Sequence, residues 1–247
     1  MKNCRRRSAL VLGAALLVCV SCAIADEPLR QTREISQAFD EVRLDADIDL
    51  ELTQSDVVSL VIEAPAEELP SIRTEVKDGV LTLGRVQSRS SNFSWWFGRH
   101  RAPRAWLSAP SIERLVIEGS GNVHAGTWKT HGLEVRISGS GDVKIDALTA
   151  ARLHCDLAGS GKVILTGSAA SQRIRLSGSG DYRASKLKSD AATVSISGSG
   201  DAELWAERTL EARISGSGDV RYYGTPAVTR SVSGSGSITA LGQKGSS

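Results

Sequence analysis

Gly-Ser-Gly occurs seven times between Gly119 and Gly236, and a polar residue follows each copy: Asn122, Asp142, Lys162, Asp181, Asp201, Asp219 and Ser237. Stacked copies would bring these side chains into one row, and a row of carboxylates is chemistry that can hold calcium. Calcium-binding Gly/Asp repeats, however, are nonapeptides with two adjacent glycines. That pattern is absent here, and Lys162 breaks the row. The expectation is a solvated row with no metal and no cofactor. His100, His124, His131 and His154 have no ligand spacing, and no serine-hydrolase elbow, phosphate loop or zinc motif occurs. Glycan-cleaving enzymes need carboxylates or bases converging in a groove. The acids here are spread along the repeat, so the chain is read as a non-enzyme.

Two other stretches carry reactive or adhesive residue types. Cys155, in "RLHCDLAGSG", holds the register of Val135, Ile174 and Val194 in other copies. It reads as a small core residue, with His154 and Asp156 on the opposite side of a strand. The segment 88–104, "SRSSNFSWWFGRHRAPR", places Trp95, Trp96 and Phe97 beside Arg99 and Arg101 in a chain with only 4% aromatics. It reads either as a loop whose aromatics cap the fold or as an exposed contact surface for a glycan, a lipid headgroup or a protein. In the second reading Trp95, Trp96, Phe97, Arg99 and Arg101 are the contact residues.

The repeat itself must position everything else. The motif glycine pairs are Gly119 and Gly121, Gly139 and Gly141, Gly159 and Gly161, Gly178 and Gly180, Gly198 and Gly200, Gly216 and Gly218, and Gly234 and Gly236. The first glycines are spaced by 20, 20, 19, 20, 18 and 18 residues. A period this steady marks a repeat architecture. Apolar residues alternate on both sides of each copy, as in Leu133, Val135, Ile137 and then Val143, Ile145. Each unit therefore reads as strand, "SGSGD" corner, strand, and a looser connection such as "ALTAAR" or "AERT". Strands about 4.8 Å apart in parallel register would bury one continuous inner face. This is an all-β fold, a parallel β-helix or β-solenoid of about 18–20 residues per repeat. The glycines are expected to serve as a structural corner, where left-handed torsions cost them nothing and neighbouring coils approach closely.

The N-terminal part is also β. "EVRLDADIDLEL" gives six successive matches to a half-buried strand, and "IRTEVKDGVLTLGRV" reads as two strands around a tight Asp78-Gly79 turn. Residues 35–87 are expected to supply the first coils or a cap, 111–241 the motif coils, and 242–247 a flexible tail. Residues 1–25 read as a signal peptide: Lys2 and Arg5–Arg7, an apolar run over Ala9–Val20, then "AIA". The mature single domain would begin at Asp26 and run to 241. A lipid on Cys22 is the rival, and a membrane partner is expected only in that case. Without the leader the charge is 26 basic against 28 acidic residues, which argues against a nucleic-acid partner. Cys155 is the single cysteine past the leader, so no internal disulfide is expected.

"QAFDEVRLDADIDLELTQSD", "KDGVLTL", "APSIERLVIEGSGNV" and the serial "SGSGDV" copies resemble, in that order, the auto-transporter adhesin, head GIN domain family of bacteria. The resemblance covers about residues 35–241 and implies an exported right-handed β-helix, with no catalytic residues to carry over. The Trp- and Arg-rich segment departs from the family pattern. The reading is an exported non-catalytic β-helix of the cell envelope or surface, periplasmic, outer-surface or extracellular, presenting a binding or adhesion face. The alternative is a periplasmic interaction module for envelope signalling or assembly, and a glycan-active enzyme ranks below both. The partner is an unspecified protein or glycan.

Overall fold

The structure, a computed structural model, describes residues 28–86 and 102–244. The leader, Cys22, and the anchors Trp95, Trp96, Phe97, Arg99 and Arg101 lie outside the described residues. Sixteen strands form one sheet wound on itself. The N-terminal strands are β1 (Leu29–Arg33), β2 (Glu41–Leu44), β3 (Asp49–Gln54), β4 (Ser59–Ala64), β5 (Ile72–Lys77), β6 (Val80–Arg85), β7 (Arg104–Ala109) and β8 (Arg114–Ile117). The long strands are β9 (Val123–Ile137), β10 (Val143–Leu157), β11 (Lys162–Leu176), β12 (Asp181–Ile196) and β13 (Ala202–Ile214). β14 (Val220–Tyr223), β15 (Ala227–Val232) and β16 (Ile238–Ala240) close the chain. From β9 onward every neighbouring pair is parallel, and the coils stack as a β-solenoid.

The stretches expected to be loose connections are not loose. "ALTAAR" lies within β10 and "AERT" within β13. Each long strand instead bends twice, where inward–outward alternation slips: in β10 both Asp146 and Ala147 face out, and so do Ala151 and Arg152. With the Gly-Ser-Gly corner this makes three corners per coil and three faces. The first face carries segments such as Leu133–Ile137, the second those such as Val143–Ile145, and the third those such as Leu148–Ala150. Leu133, Val135, Ile137, Val143, Ile145, Cys155, Leu157, Ile174, Leu176, Val194 and Ile196 all point into one continuous core. Burial pushes the Cys155 thiol far above its ordinary range, so it stays protonated and inert.

The corner works differently from the sequence expectation. Among the fourteen motif glycines only Gly234 has a positive φ, at 157°, close to extended. Left-handed torsion is therefore not the reason for glycine. The reason is vertical clearance. A Cβ on Gly139 would stand 1.9 Å from the carbonyl oxygen of Gly119, and one on Gly159 would stand 1.8 Å from that of Gly139. The same oxygens accept the backbone N–H of the middle serine one coil up, as in Ser140 to Gly119 at 3.1 Å and Ser160 to Gly139 at 3.1 Å. The ladder thus runs through the corner, and only a residue without a side chain lets the coils close to that distance. The column continues below the motif: Gly119 and Gly121 rest on Ala46 and Ile48. "EVRLDADIDLEL" is accordingly two strands, β2 and β3, joined by a corner in the same stack rather than one strand.

Coils of unequal length need slack. Gly167, at φ +123° and with no room for a Cβ over the Leu148 carbonyl, absorbs the 19-residue interval. The 18-residue coil built on β13 is harder to fit, since β12 passes from Ala184 to Lys188 while β13 passes from Leu204 to Trp205. This slip aims the Trp205 carbonyl into the core. There it accepts from the Ser189 hydroxyl at 2.7 Å and from Gln172 Nε2 at 3.1 Å. Gln172 Nε2 also donates to Ser189 Oγ at 2.7 Å, and Gln172 Oε1 accepts from the Tyr182 hydroxyl at 2.7 Å. Gln172 stands in the column of Leu153 and Ala192. The network gives every polar side-chain hydrogen of Gln172, Tyr182 and Ser189 a partner within an otherwise apolar core.

The N-terminal end is closed by antiparallel strands, with β4 on β7, β1 on β4, and β5 on β6. The β5–β6 turn is made by Asp78 (φ 53°) and Gly79 (φ 81°), both left-handed as such a tight turn requires. Trp128 fills the lowest rung of the third face, fully buried, and donates its indole N–H to the Ile112 carbonyl at 3.3 Å.

Gly139→Ala is expected to destabilise by at least about 2 kcal/mol, because backbone must move to admit the methyl. Gly126→Ala, where an added Cβ meets nothing within 4 Å, is expected to leave the melting temperature unchanged or raised. Equal melting temperatures for the two variants would contradict the clearance argument. Gln172→Leu is expected to cost about 1–3 kcal/mol by stranding the Tyr182 hydroxyl. Adding Tyr182→Phe should recover part of that loss in a double-mutant cycle.

Candidate functional site

The polar row beside the corner is the first candidate. Its side chains are turned to their own backbone. Asp49 Oδ1 accepts from Asn122 N at 3.2 Å and from Asn122 Nδ2 at 2.8 Å, and Asn122 Oδ1 accepts from Asp142 N at 3.0 Å. Asp142 Oδ1 then accepts from Lys162 N at 2.8 Å, Asp201 Oδ1 from Asp219 N at 2.9 Å, and Asp219 Oδ1 from Ser237 N at 2.8 Å. The Ser237 hydroxyl and N–H hold the Asp219 carboxyl below its usual range. Asp49, Asp142, Asp201 and Asp219 thus each satisfy an N–H of the next coil, while Asp181 accepts from the Arg183 side chain at 3.0 Å. Among the described residues no group of three or more His, Cys, Asp or Glu side chains is placed to hold a metal.

The second face carries a charge cluster near its base. His124 Nδ1 lies 2.8 Å from Glu51 Oε2, and His124 Nε2 lies 2.8 Å from Asp146 Oδ2. A neutral imidazole has one N–H and can donate to one of them, while the imidazolium donates to both. The hydrogen bond to Asp146, then that to Glu51, raises the His124 pKa above 6.5. Asp146 is lowered in turn, first by Lys144 and then by His124.

The first face is where charge compensation fails. At its lower end a chain of ion pairs crosses successive coils. Glu41 binds Arg43 at 3.1 Å and Arg114 at 3.2 Å, Glu134 binds Arg114 at 3.0 Å and Arg136 at 3.1 Å, and Asp156 lies 3.6 Å from Arg136. His154 Nε2 lies 3.4 Å from Asp156 without hydrogen-bond alignment. The chain stops there. Arg152 on β10 and Arg173 and Arg175 on β11 have no ion-pair or hydrogen-bond partner among the described residues, and all three are exposed. The next strand up offers only hydroxyls outward, Thr193 and Ser195, in register with Arg173 and Arg175. Acid returns on β13, where Glu211 pairs with Arg213.

Two grooves run over this region. One, of about 570 Å³, is acidic at its lower end, where Asp40, Glu41, Glu113 and Glu134 line it with Arg114, and basic higher up, at Arg152, His154 and Arg173 beside Thr193. The other, of about 620 Å³, runs beside the corner over Arg136, Arg175, Ser195, Ser197 and Arg213. The face thus offers fixed cationic side chains and hydroxyl donors on rigid strands, suited to holding an anion without chemistry on it. Sequence reasoning passed over Arg152, Arg173 and Arg175. The signal was present: "QRIRLSGSG" is the copy whose two outward positions are both arginine, whereas "LEVRISGSG" and "LEARISGSG" each balance one arginine with one glutamate. The Trp- and Arg-rich segment joins β6 to β7, where the coil above has only residues 45–48.

The family profile described as "Putative auto-transporter adhesin, head GIN domain" matches residues 38–226. The chain belongs to this family. Among solved structures it is similar to a putative adhesin from Bacteroides fragilis, at 25% identity and a TM-score of 0.80, covering 88% of this chain and 98% of that one. It is similar in fold to a putative lipid binding protein from Parabacteroides distasonis, at 24% identity and a TM-score of 0.72, with 88% and 98% covered. A putative adhesin from the same species gives 22% identity and a TM-score of 0.69, again over 88% and 98%. No protein of curated function matches the chain. Family and neighbours alike are described as adhesins or binding proteins rather than enzymes.

The His124 cluster gives a pH prediction with a definite sign. Its folded pKa lies above the unfolded value of 6.5, so its contribution to stability is full below pH 6.5 and fades as pH rises through the folded value. Wild type should exceed His124→Ala in melting temperature at pH 5.5, and the gap should shrink by pH 8.5. A gap that widens with pH would reverse the assignment.

Proposed function

We propose that this GIN-domain protein is an exported, non-catalytic β-solenoid of the bacterial envelope or cell surface, adhesin-like in use, whose binding face is the middle of the first face. The observation that carries the reading is the set of uncompensated arginines, Arg152, Arg173 and Arg175, beside two grooves on a rigid sheet. A partner that brings negative charge gains interactions there without first breaking an ion pair. Such sites on stiff strands need little ordering on binding. Family membership and the adhesin neighbours support the same use. Export rests on the leader, its basic start, apolar run and "AIA" site. The aromatic and basic residues Trp95, Trp96, Phe97, Arg99 and Arg101 are proposed as a second contact on composition alone.

Two measurements test this. Mass spectrometry of the envelope and culture fractions should find a chain beginning at Asp26. An intact leader in the cytoplasm would remove the export reading, and a lipid on Cys22 would make it a membrane-anchored form. On an array of cell-wall and matrix glycans, Arg173→Glu with Arg175→Glu should weaken the best-bound anionic ligand by at least about tenfold. Unchanged binding would move the binding face elsewhere.

A further inference from the structure

We infer that the occupant of this face is a linear acidic polysaccharide lying along the solenoid axis, its acidic groups matched to the arginine spacing. The inference rests on the binding face proposed above and adds the ligand class. Arg136, Asp156, Arg175, Ser195 and Arg213 stand in one column, each in register with the next. Consecutive coils are about 4.8 Å apart, so Arg136, Arg175 and Arg213 recur at about 9.6 Å. One sugar advances a glycan chain by roughly the rise of one coil, so an acidic group on alternate sugars meets alternate coils. Between Arg136 and Arg175 the column holds Asp156, which pairs with Arg136 and faces a sugar without an acidic group; between Arg175 and Arg213 it offers Ser195, and the groove edge adds further serine hydroxyls that can exchange hydrogen bonds with sugar hydroxyls. Arg175 is the unpaired centre of the column, since Arg213 also pairs with Glu211.

Other anionic partners fit this face less well. A membrane needs an apolar side chain to insert. The exposed large apolar residues are Leu29, Val57, Val58, Val86, Val228, Val232 and Leu241, and none lies on the face between β8 and β13. Single-stranded nucleic acid needs stacking platforms, and the outward positions there hold no Trp, Tyr or Phe. An acidic peptide commonly adds as a strand to a free edge, but the strands of this face are paired on both sides.

The experiment is calorimetric titration of the chain from Asp26 onward with hyaluronan oligosaccharides of increasing length, which carry a carboxylate on alternate sugars. Glucuronate monomer, dextran of equal length and phosphatidylglycerol vesicles serve as comparators. Long oligomers should bind and tighten with length until the arginine column is spanned. Monomer should bind at least about a hundredfold more weakly, and dextran not at all. Arg175→Gln should weaken the long oligomer about tenfold with an unchanged melting temperature, since Arg175 is exposed and unpaired. Arg183→Gln, on the second face, should leave binding as it was. Absence of oligomer binding, equal binding of monomer or dextran, indifference to Arg175→Gln, or binding of vesicles alone would each overturn the inference. If the oligomers fail while the glycan array still responds to Arg173 and Arg175, the binding face stands and only the ligand class falls.

Discussion

Backbone stacked directly on backbone at one corner is the constraint on which the rest depends. In the flat part of a sheet, side chains stand out from the sheet and clear the backbone of the strand alongside. At the Gly-Ser-Gly corner the chain turns so that a Cβ would aim at the carbonyl one coil below, at separations from 1.8 to 2.6 Å. Glycine removes the conflict and leaves the carbonyl free for the serine N–H above it. Ile117, Ile137, Ile196 and Ile214 tighten the site from inside, their methyls about 3 Å from where Cβ atoms of later glycines would stand. Spacing set at this corner carries around the coil, because the three faces share one ladder. The Asn and Asp row then caps N–H groups that the turn would otherwise leave to water.

A fixed corner makes coil length a variable that must be absorbed elsewhere. Twenty-residue coils lie on one another without adjustment, as β9 and β10 do over their whole length. Shorter coils cut across the third face. Gly167 and Gly224 each sit at positive φ over a carbonyl there, and both replace positions where a side chain would clash. Where no glycine serves, at Trp205, the stray carbonyl is met by Ser189 and Gln172, and Tyr182 completes the set. The buried polar group accompanies the shortening of a coil by two residues, and it spans β11, β12 and β13.

Much of this was legible in the sequence. Steady spacing gave parallel coils, and strict alternation gave the inward residues, including the bland role of Cys155. Three things were not. The reason for glycine is a contact between residues twenty apart, which no local torsion argument contains. The bends inside β10, β12 and β13 carry no Gly or Pro signal, and "DALTAAR" turns with ordinary residues in register with the coils on either side. And the polar network needs Gln172, Ser189, Trp205 and Tyr182 to be seen as neighbours across three coils. Each looks unremarkable in its own copy.

The same stacking explains why a binding site can form by subtraction. On a solenoid face, outward residues meet their equivalents above and below and their outward neighbours two residues along the same strand. Alternating charge along the axis therefore neutralises itself, as from Arg43 to Asp156. Placing Arg173 and Arg175 on one strand, with Thr193 and Ser195 above, interrupts the sequence of pairs. The nearest acid, Asp156, is in register with Arg175 but pairs with Arg136 on its other side, so Arg173 and Arg175 are left without an ion pair. One copy of the repeat with a different pair of outward residues is then enough to give a rigid array of donors that faces solvent.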